Sequence, residues 1–242
     1  SRHSGAGRNL VSMTMRCQAG AVNQIYKEIE DMQTSTNEQV SKMYDEAASS
    51  YNSMMATEIK LPIYNKVMTR LHDSITGLPG SIVDTSCGSG HMLAMYHAQF
   101  DQDRTLIGVD LSPEMVAITA QRIGDYAKVI VSDMRELHML EHSSAAAVIS
   151  FFALHHLDSV GIQKAFAEWH RVLLAGGQLV VAAWEGVGAI DYGDAASIVA
   201  LRYTAEELTQ WAVERGFVVT QCDVEEVDEM PMDAIYLALG KP

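Results

Sequence analysis

Ile82-Val83-Asp84-Thr85-Ser86-Cys87-Gly88-Ser89-Gly90-His91 reads as a short apolar strand, a tight turn of small residues, and the start of an apolar helix running to Gln99. Such a turn presents backbone N–H groups and a positive helix N-terminus at the carboxyl end of a strand, where open sheets bind ligands. Small residues suit it because a ligand must approach the backbone itself.

Downstream the chain alternates between strands and helices. Thr105 to Val109 is a predicted strand ending at Asp110, and Pro113 to Ile123 a helix with proline at its start. Lys128 to Ser132 is a strand ending at Asp133, and Ala145 to Phe152 another. Val160 to Leu174 is a helix closed by Gly176 and Gly177, followed by the strand Gln178 to Ala183. A helix from Thr204 to Glu214 and two strands, Phe217 to Val224 and Ala234 to Leu239, complete the pattern. This order predicts an α/β fold with a doubly wound, mostly parallel sheet. Runs such as Leu179-Val180-Val181-Ala182-Ala183 fit strands covered on both faces. Three successive strands then deliver Asp84, Asp110 and Asp133 to one edge of the sheet. A carboxylate at the end of the second strand is placed to accept hydrogen bonds from ribose hydroxyls.

Upstream the pattern is helical. Val22, Ile25, Ile29 and Met32 recur at spacings of three and four. Ser35, Thr36 and Asn37 can cap a second helix holding Val40, Tyr44, Ala48 and Tyr51, and a third runs from about Pro62 to Thr76. Residues 1–20 lack a sustained apolar period and are expected to be a disordered leader, with a trimmed organelle transit sequence as the alternative. The expected organisation is one domain over 21–242, with a helical lid over 21–80 and a ligand-binding sheet over 81–242.

Composition narrows the function. Seventeen basic and 31 acidic residues give a formal charge of −14, which leaves no electrostatic footprint for nucleic acid. The longest nearly apolar stretch, Ala145 to Leu154, is too short to span a membrane. Three scattered cysteines make neither a disulfide framework nor a zinc site, and no metal is expected. A soluble protein of the cytoplasm or an organelle lumen, not a secreted one, is the resulting expectation. A nicotinamide dinucleotide site would want a third glycine after Gly88 and Gly90, and His91 to Leu93 offer none.

The register of these motifs resembles the class I S-adenosylmethionine-dependent methyltransferases of the small-molecule, Rossmann-like type, over about residues 40 to 242. Asp84 to Gly90 sits where that family has its glycine motif, with Ser86 in place of the first glycine. Asp110-Leu111-Ser112-Pro113-Glu114-Met115 is similar to the segment that takes the ribose and packs on adenine, and Ser132-Asp133-Met134 to the adenine-amine segment. Ser150-Phe151-Phe152-Ala153-Leu154-His155-His156-Leu157 resembles the stretch after the fourth strand. Arg171-Val172-Leu173-Leu174-Ala175-Gly176-Gly177 resembles the family's R-V-L-K-P-G-G helix end, with Ala175 for proline. The resemblance implies a seven-stranded sheet of order 3-2-1-4-5-7-6. It also implies an S-adenosylmethionine site formed by Asp84, Ser86, Gly88, Gly90, Asp110, Leu111, Met115, Asp133, Met134 and Phe151. The product is then S-adenosylhomocysteine.

Methyl transfer from a sulfonium needs alignment and exclusion of water, and a base only where the nucleophile arrives protonated. His155 is the expected base, with a reference pKa near 6.5, and His156 the expected packing residue. Tyr44 and Tyr51 share a helix face and are expected to close over the site with catalytic contacts. Trp184 and Tyr192 lie in a loop expected to form the opposite wall. The expected activity is methyl transfer to an oxygen, nitrogen or sulfur of a small-molecule metabolite by a monomer or homodimer. The rival is a methyltransferase-like protein that binds the cofactor without turnover and acts as an interaction partner, a reading to which Ser86 lends itself.

Overall fold

The computed structural model describes residues 33–192, 198–228 and 231–242. Thr34–Pro242 cluster as one compact unit. The expected leader and the first predicted helix, with Val22, Ile25 and Ile29, lie outside the described residues.

The central sheet has seven strands: β1 (Ser81–Asp84), β2 (Leu106–Asp110), β3 (Ala127–Val131), β4 (Ala145–Phe151), β5 (Leu173–Trp184), β6 (Val218–Glu225) and β7 (Ala234–Gly240). Their order is β3-β2-β1-β4-β5-β7-β6, as the resemblance implied. The first five run parallel to one another, and β7 is antiparallel to both β5 and β6. Register brings the carboxyl ends level: Asp84 pairs with Gly108 and Ile149, and Asp110 with Val131. A two-residue ribbon, Gly188–Ala189 with Leu201–Arg202, lies in the loop after β5 and was not anticipated.

Among the described residues six α-helices flank the sheet: α1 (Asn37–Glu58), α2 (Pro62–Ser74), α3 (His91–Gln99), α4 (Pro113–Ile123), α5 (Ser159–Val172) and α6 (Ala205–Glu214). Each start has a local cause. Thr36 and Gln39 form a reciprocal capping box at α1, and Thr204 and Glu207 another at α6. Ser112 caps α4 by accepting from the Met115 N–H at 3.1 Å, and Asp158 caps α5 through the Gly161 N–H at 2.7 Å. Pro62 and Pro113 sit in the first turns of α2 and α4, where a missing N–H costs nothing.

The core lies on both faces of the parallel strands. All of β1 is buried, as are the first six residues of β4. Helix α5 buries Ile162, Ala165, Phe166, Trp169 and Val172 along one stripe. Its polar groups also shape the site edge. Trp169 Nε1 donates to the Met134 carbonyl at 3.1 Å. Arg171 donates to the carbonyls of Leu137 and Leu140, and Glu168 accepts from the Leu137 N–H at 2.8 Å. The segment between β3 and β4 contains no described helix and is pinned by these bonds instead. Helix α1 differs in kind. Only Val40 and Ala48 of its 22 residues are buried.

Candidate active site

The carboxyl ends of β1 to β4 and the underside of α1 border a partly open cavity. Its floor is Thr85, Ser86 and Gly88 after β1, Asp110, Leu111 and Met115 after β2, and Ser132, Asp133 and Met134 after β3. Phe151, Phe152, Ala153, His156 and Leu157 form the wall after β4, and Asn37, Val40, Tyr44 and Tyr51 of α1 form the roof.

The turn after β1 is built as its composition requires. Gly88 has φ +50°, and a Cβ there would meet Tyr51 Cε1 at 3.0 Å. Gly90 has φ +78° and caps α3; a Cβ there would lie 2.7 Å from Thr119 Cγ2. Ser86 keeps an ordinary backbone conformation, so its side chain brings no strain. Its hydroxyl accepts from the Phe151 N–H at 3.3 Å and lies 3.4 Å from Ser150 Oγ, linking the ends of β1 and β4.

The three aspartates have different jobs. Asp110 lines the cavity and accepts from the Gly88 N–H at 2.8 Å and the Ser112 N–H at 2.9 Å. Burial raises its pKa, with these bonds working against the rise. Asp84 is buried beneath the turn, where it accepts from the Ser86 N–H at 3.2 Å. Burial pushes its pKa up to about 7, and nearby Asp110 adds to that. Asp133 is also pushed up by burial, but hydrogen bonds and charge from Arg135 and a bond from Asn37 outweigh this and hold it below the usual range.

The two histidines exchange the places expected of them. His156 lines the cavity, and its Nε2 lies 2.8 Å from the Tyr44 hydroxyl. Burial lowers its pKa to about 4, which keeps the ring neutral at pH 7. Its Nδ1 is buried without a partner among the described residues. His155 is buried outside the cavity lining, with its ring centroid 4.0 Å from that of His156. Burial, then the neighbouring His156, lowers its pKa well below the ordinary value. A 3-10 turn at Leu154–His156 sets both directions, and the partner that marks the cavity side is Tyr44 on α1.

Of the other expected residues, Tyr44, Tyr51, Ser86, Gly88, Asp110, Leu111, Met115, Asp133, Met134 and Phe151 all line the cavity. Asp84 and Gly90 do not: one supports the turn from below, and the other packs α3 against α4. Trp184 and Tyr192, expected as the opposite wall, do not line the cavity either; Trp184 ends β5 and packs on Phe152. Sequence reading missed Asn37, Val40, Thr85, Phe152, Ala153 and Leu157. Phe152 carried no signal of its conformation. It has φ +50°, rare for a bulky residue, with its N–H donating to the Ala182 carbonyl at 2.7 Å and its ring 4.5 Å from Trp184.

A glycine turn, carboxylates at the ends of successive strands and a 3-2-1-4-5-7-6 order define a Rossmann-like methyltransferase fold. Residues 82–177 match the family described as methyltransferase domain. The chain is 27% identical over 107 residues to the ubiquinone/menaquinone biosynthesis C-methyltransferase UbiE of Geobacter sp. (strain M21), covering 42% of this chain and 44% of that protein. It spans less than half the length of the curated relatives it matches. Among solved structures it is similar to the [4+2]-cyclase SpnF, with a TM-score of 0.68, 16% identity and coverage of 87% of this chain and 98% of that one. Burkholderia thailandensis 1,6-didemethyltoxoflavin-N1-methyltransferase, solved with 1,6-didemethyltoxoflavin and S-adenosylhomocysteine, is similar at a TM-score of 0.66 and 19% identity. That match covers 87% of this chain and 92% of the other. At these identities the structural likeness speaks for the fold.

Proposed function

We propose that this protein is an S-adenosylmethionine-dependent methyltransferase acting on an oxygen, nitrogen or sulfur atom of a small molecule. The observation that carries the reading is one cavity in which the glycine turn, Asp110 and Asp133 meet the hydrogen-bonded Tyr44–His156 pair. The residues fit the cofactor. Gly88 forms a cradle that a Cβ would fill, and the acidic floor suits a ligand bearing positive charge and N–H or O–H donors. Two N–H groups engage one oxygen each of Asp110, leaving lone-pair capacity for a pair of hydroxyls.

When bound, S-adenosylmethionine supplies an electrophilic methyl group on a positively charged sulfur. Asp110 would accept from the ribose hydroxyls, Leu111, Met115 and Met134 would pack on the base, and Ser86 and Gly88 would border the amino-acid end. Phe151 completes the floor beside Ser86. Helix α1 screens the cavity from water, which favours a displacement that needs alignment above all. His156, neutral at pH 7 and bonded to Tyr44, can take up a proton from a hydroxyl or ammonium nucleophile held in this cavity. The Tyr44 phenol stays protonated because burial raises its pKa well above the usual value, with Tyr51, Tyr192 and Asp110 adding to the rise. It therefore relays or donates and does not act as a phenolate base.

Incubation with S-adenosylmethionine and a panel of phenols, amines and thiols, read out as S-adenosylhomocysteine released, tests the reading. Calorimetry with S-adenosylhomocysteine tests the cofactor by itself. No binding at millimolar ligand would remove the cofactor assignment.

A further inference from the structure

Asp133 offers a ligand less than its position implies. A carboxylate has about four lone-pair sites, and four N–H groups already fill them. The Arg135 backbone N–H reaches Oδ1 at 2.8 Å, and Arg135 Nε lies 2.9 Å from Oδ1 and 3.0 Å from Oδ2. Arg135 Nη2 reaches Oδ2 at 2.5 Å, and Asn37 Nδ2 reaches the same oxygen at 2.7 Å. Three of the four donors belong to Arg135 and travel with the turn. The fourth comes from the first residue of the roof helix.

Asn37 is held from both ends of its amide, because its Oδ1 accepts from Arg135 Nη2 at 2.9 Å. Beside it, the Ser35 N–H donates to the Val199 carbonyl at 3.1 Å, and the Val199 N–H donates to Ser35 Oγ at 2.8 Å. The start of the roof is thus tied down by polar bonds, while α1 buries only Val40 and Ala48. Such ties exchange readily for water or for a ligand's own donors. Both Asn37 and Asp133 line the cavity, so the exchange would take place inside it.

We propose that Asn37 gates the adenine end of the cavity: it occupies the one acceptor site on Asp133 that a bound adenine amine can claim, and must leave for that amine to be accepted. This rests on the cofactor reading above. Asn37 is then an affinity-determining residue that competes with the amine for one oxygen of Asp133. The measured dissociation constant is the intrinsic one divided by the fraction of molecules in which Asn37 has let go. Removing its side chain should raise that fraction, so an adenine ligand should bind more tightly, contrary to the usual effect of truncating a cavity residue.

The test is calorimetry of the full chain and its Asn37→Ala variant with two probes, S-adenosylhomocysteine and its 6-deamino analogue, which carries purine in place of adenine. The expected result is a roughly three- to thirtyfold gain in affinity for S-adenosylhomocysteine in the variant and no gain for the deamino analogue, which has no amine to place on Asp133. Equal or weaker S-adenosylhomocysteine binding by the variant overturns the gate, and so does an equal gain for both probes. A native chain that fails to bind S-adenosylhomocysteine overturns the cofactor reading instead. Asn37 is exposed at a helix start, so folding should tolerate the change; Asn37→Ser provides the same comparison if alanine does not.

Discussion

Replacing Asp84 with asparagine isolates the cost of one buried charge. Asp84 is 2% exposed, and its folded pKa is raised from 3.8 to about 7, chiefly by burial. Because the folded carboxyl binds its proton more tightly than the unfolded one, stability should fall as pH rises from about 4 to about 7. At pH 5 the unfolded chain has ionised this group and the folded chain has not; by pH 8 both have. The wild-type protein should therefore lose about 2–3 kcal/mol between pH 5 and pH 8 from this group alone. The asparagine of an Asp84→Asn variant cannot titrate, keeps the shape, and can still accept from the Ser86 N–H. Melting temperatures of the two proteins, taken side by side from pH 5 to pH 8, remove the contributions of every other group. The variant should gain about 5–10 °C relative to wild type across that interval. Parallel curves would refute the reasoning and show that an unrecognised donor or cation compensates the Asp84 charge. A gain would mark Asp84 as a residue kept at the expense of stability, the pattern of a functional position.

Asp110→Ala should weaken S-adenosylhomocysteine binding by about one to two orders of magnitude, and unchanged calorimetry in a folded variant would remove Asp110 from the site. With a turned-over acceptor in hand, His156→Gln should lower turnover about 10²–10⁴-fold while leaving cofactor affinity alone, whereas His155→Asn should show its effect in melting temperature; the reverse pattern would restore His155 as the base. Tyr51→Ala should lower stability and S-adenosylhomocysteine affinity through lost packing on Gly88, and Tyr51→Phe should retain both unless the hydroxyl touches ligand, which the same two measurements would reveal.

The parts of this molecule that were legible in sequence are those whose cause is local. The glycine turn, the aspartates at strand ends and the proline and threonine helix starts each follow from a few adjacent residues, and the structure places them within a residue or two of expectation. The sheet order came from resemblance, since alternation alone cannot order strands. The orientation of His155 and His156 was not legible, because adjacent residues in a 3-10 turn lack the strict alternation of a strand. What decides it is a hydrogen bond to Tyr44, on a helix far away in sequence. Asn37 was read as a capping residue and missed as a wall of the cavity for the same reason: its partners, Asp133 and Arg135, lie 96 and 98 residues further along the chain. Gly90 and Asp84 were expected as ligand contacts because they flank, in one short turn, the residues that do face the cavity. In three dimensions only its middle faces the cavity.

The backbone at Phe152 has a consequence for how this site can change over generations. Its left-handed conformation costs of the order of 1–3 kcal/mol, and the ring that offsets it is wedged near Trp184 and Tyr236. Glycine would relax the backbone and leave a hole the size of a ring; alanine would leave the hole and the strain together. Neither route leads downhill, so the residue is locked by two opposing demands. Novel acceptor preferences are easier to reach by altering Ala153, Leu157 or Val40, whose backbones lie in ordinary regions and whose side chains face the same space. Phe152 acts as the fixed jamb of a doorway whose other surfaces are free to be re-cut.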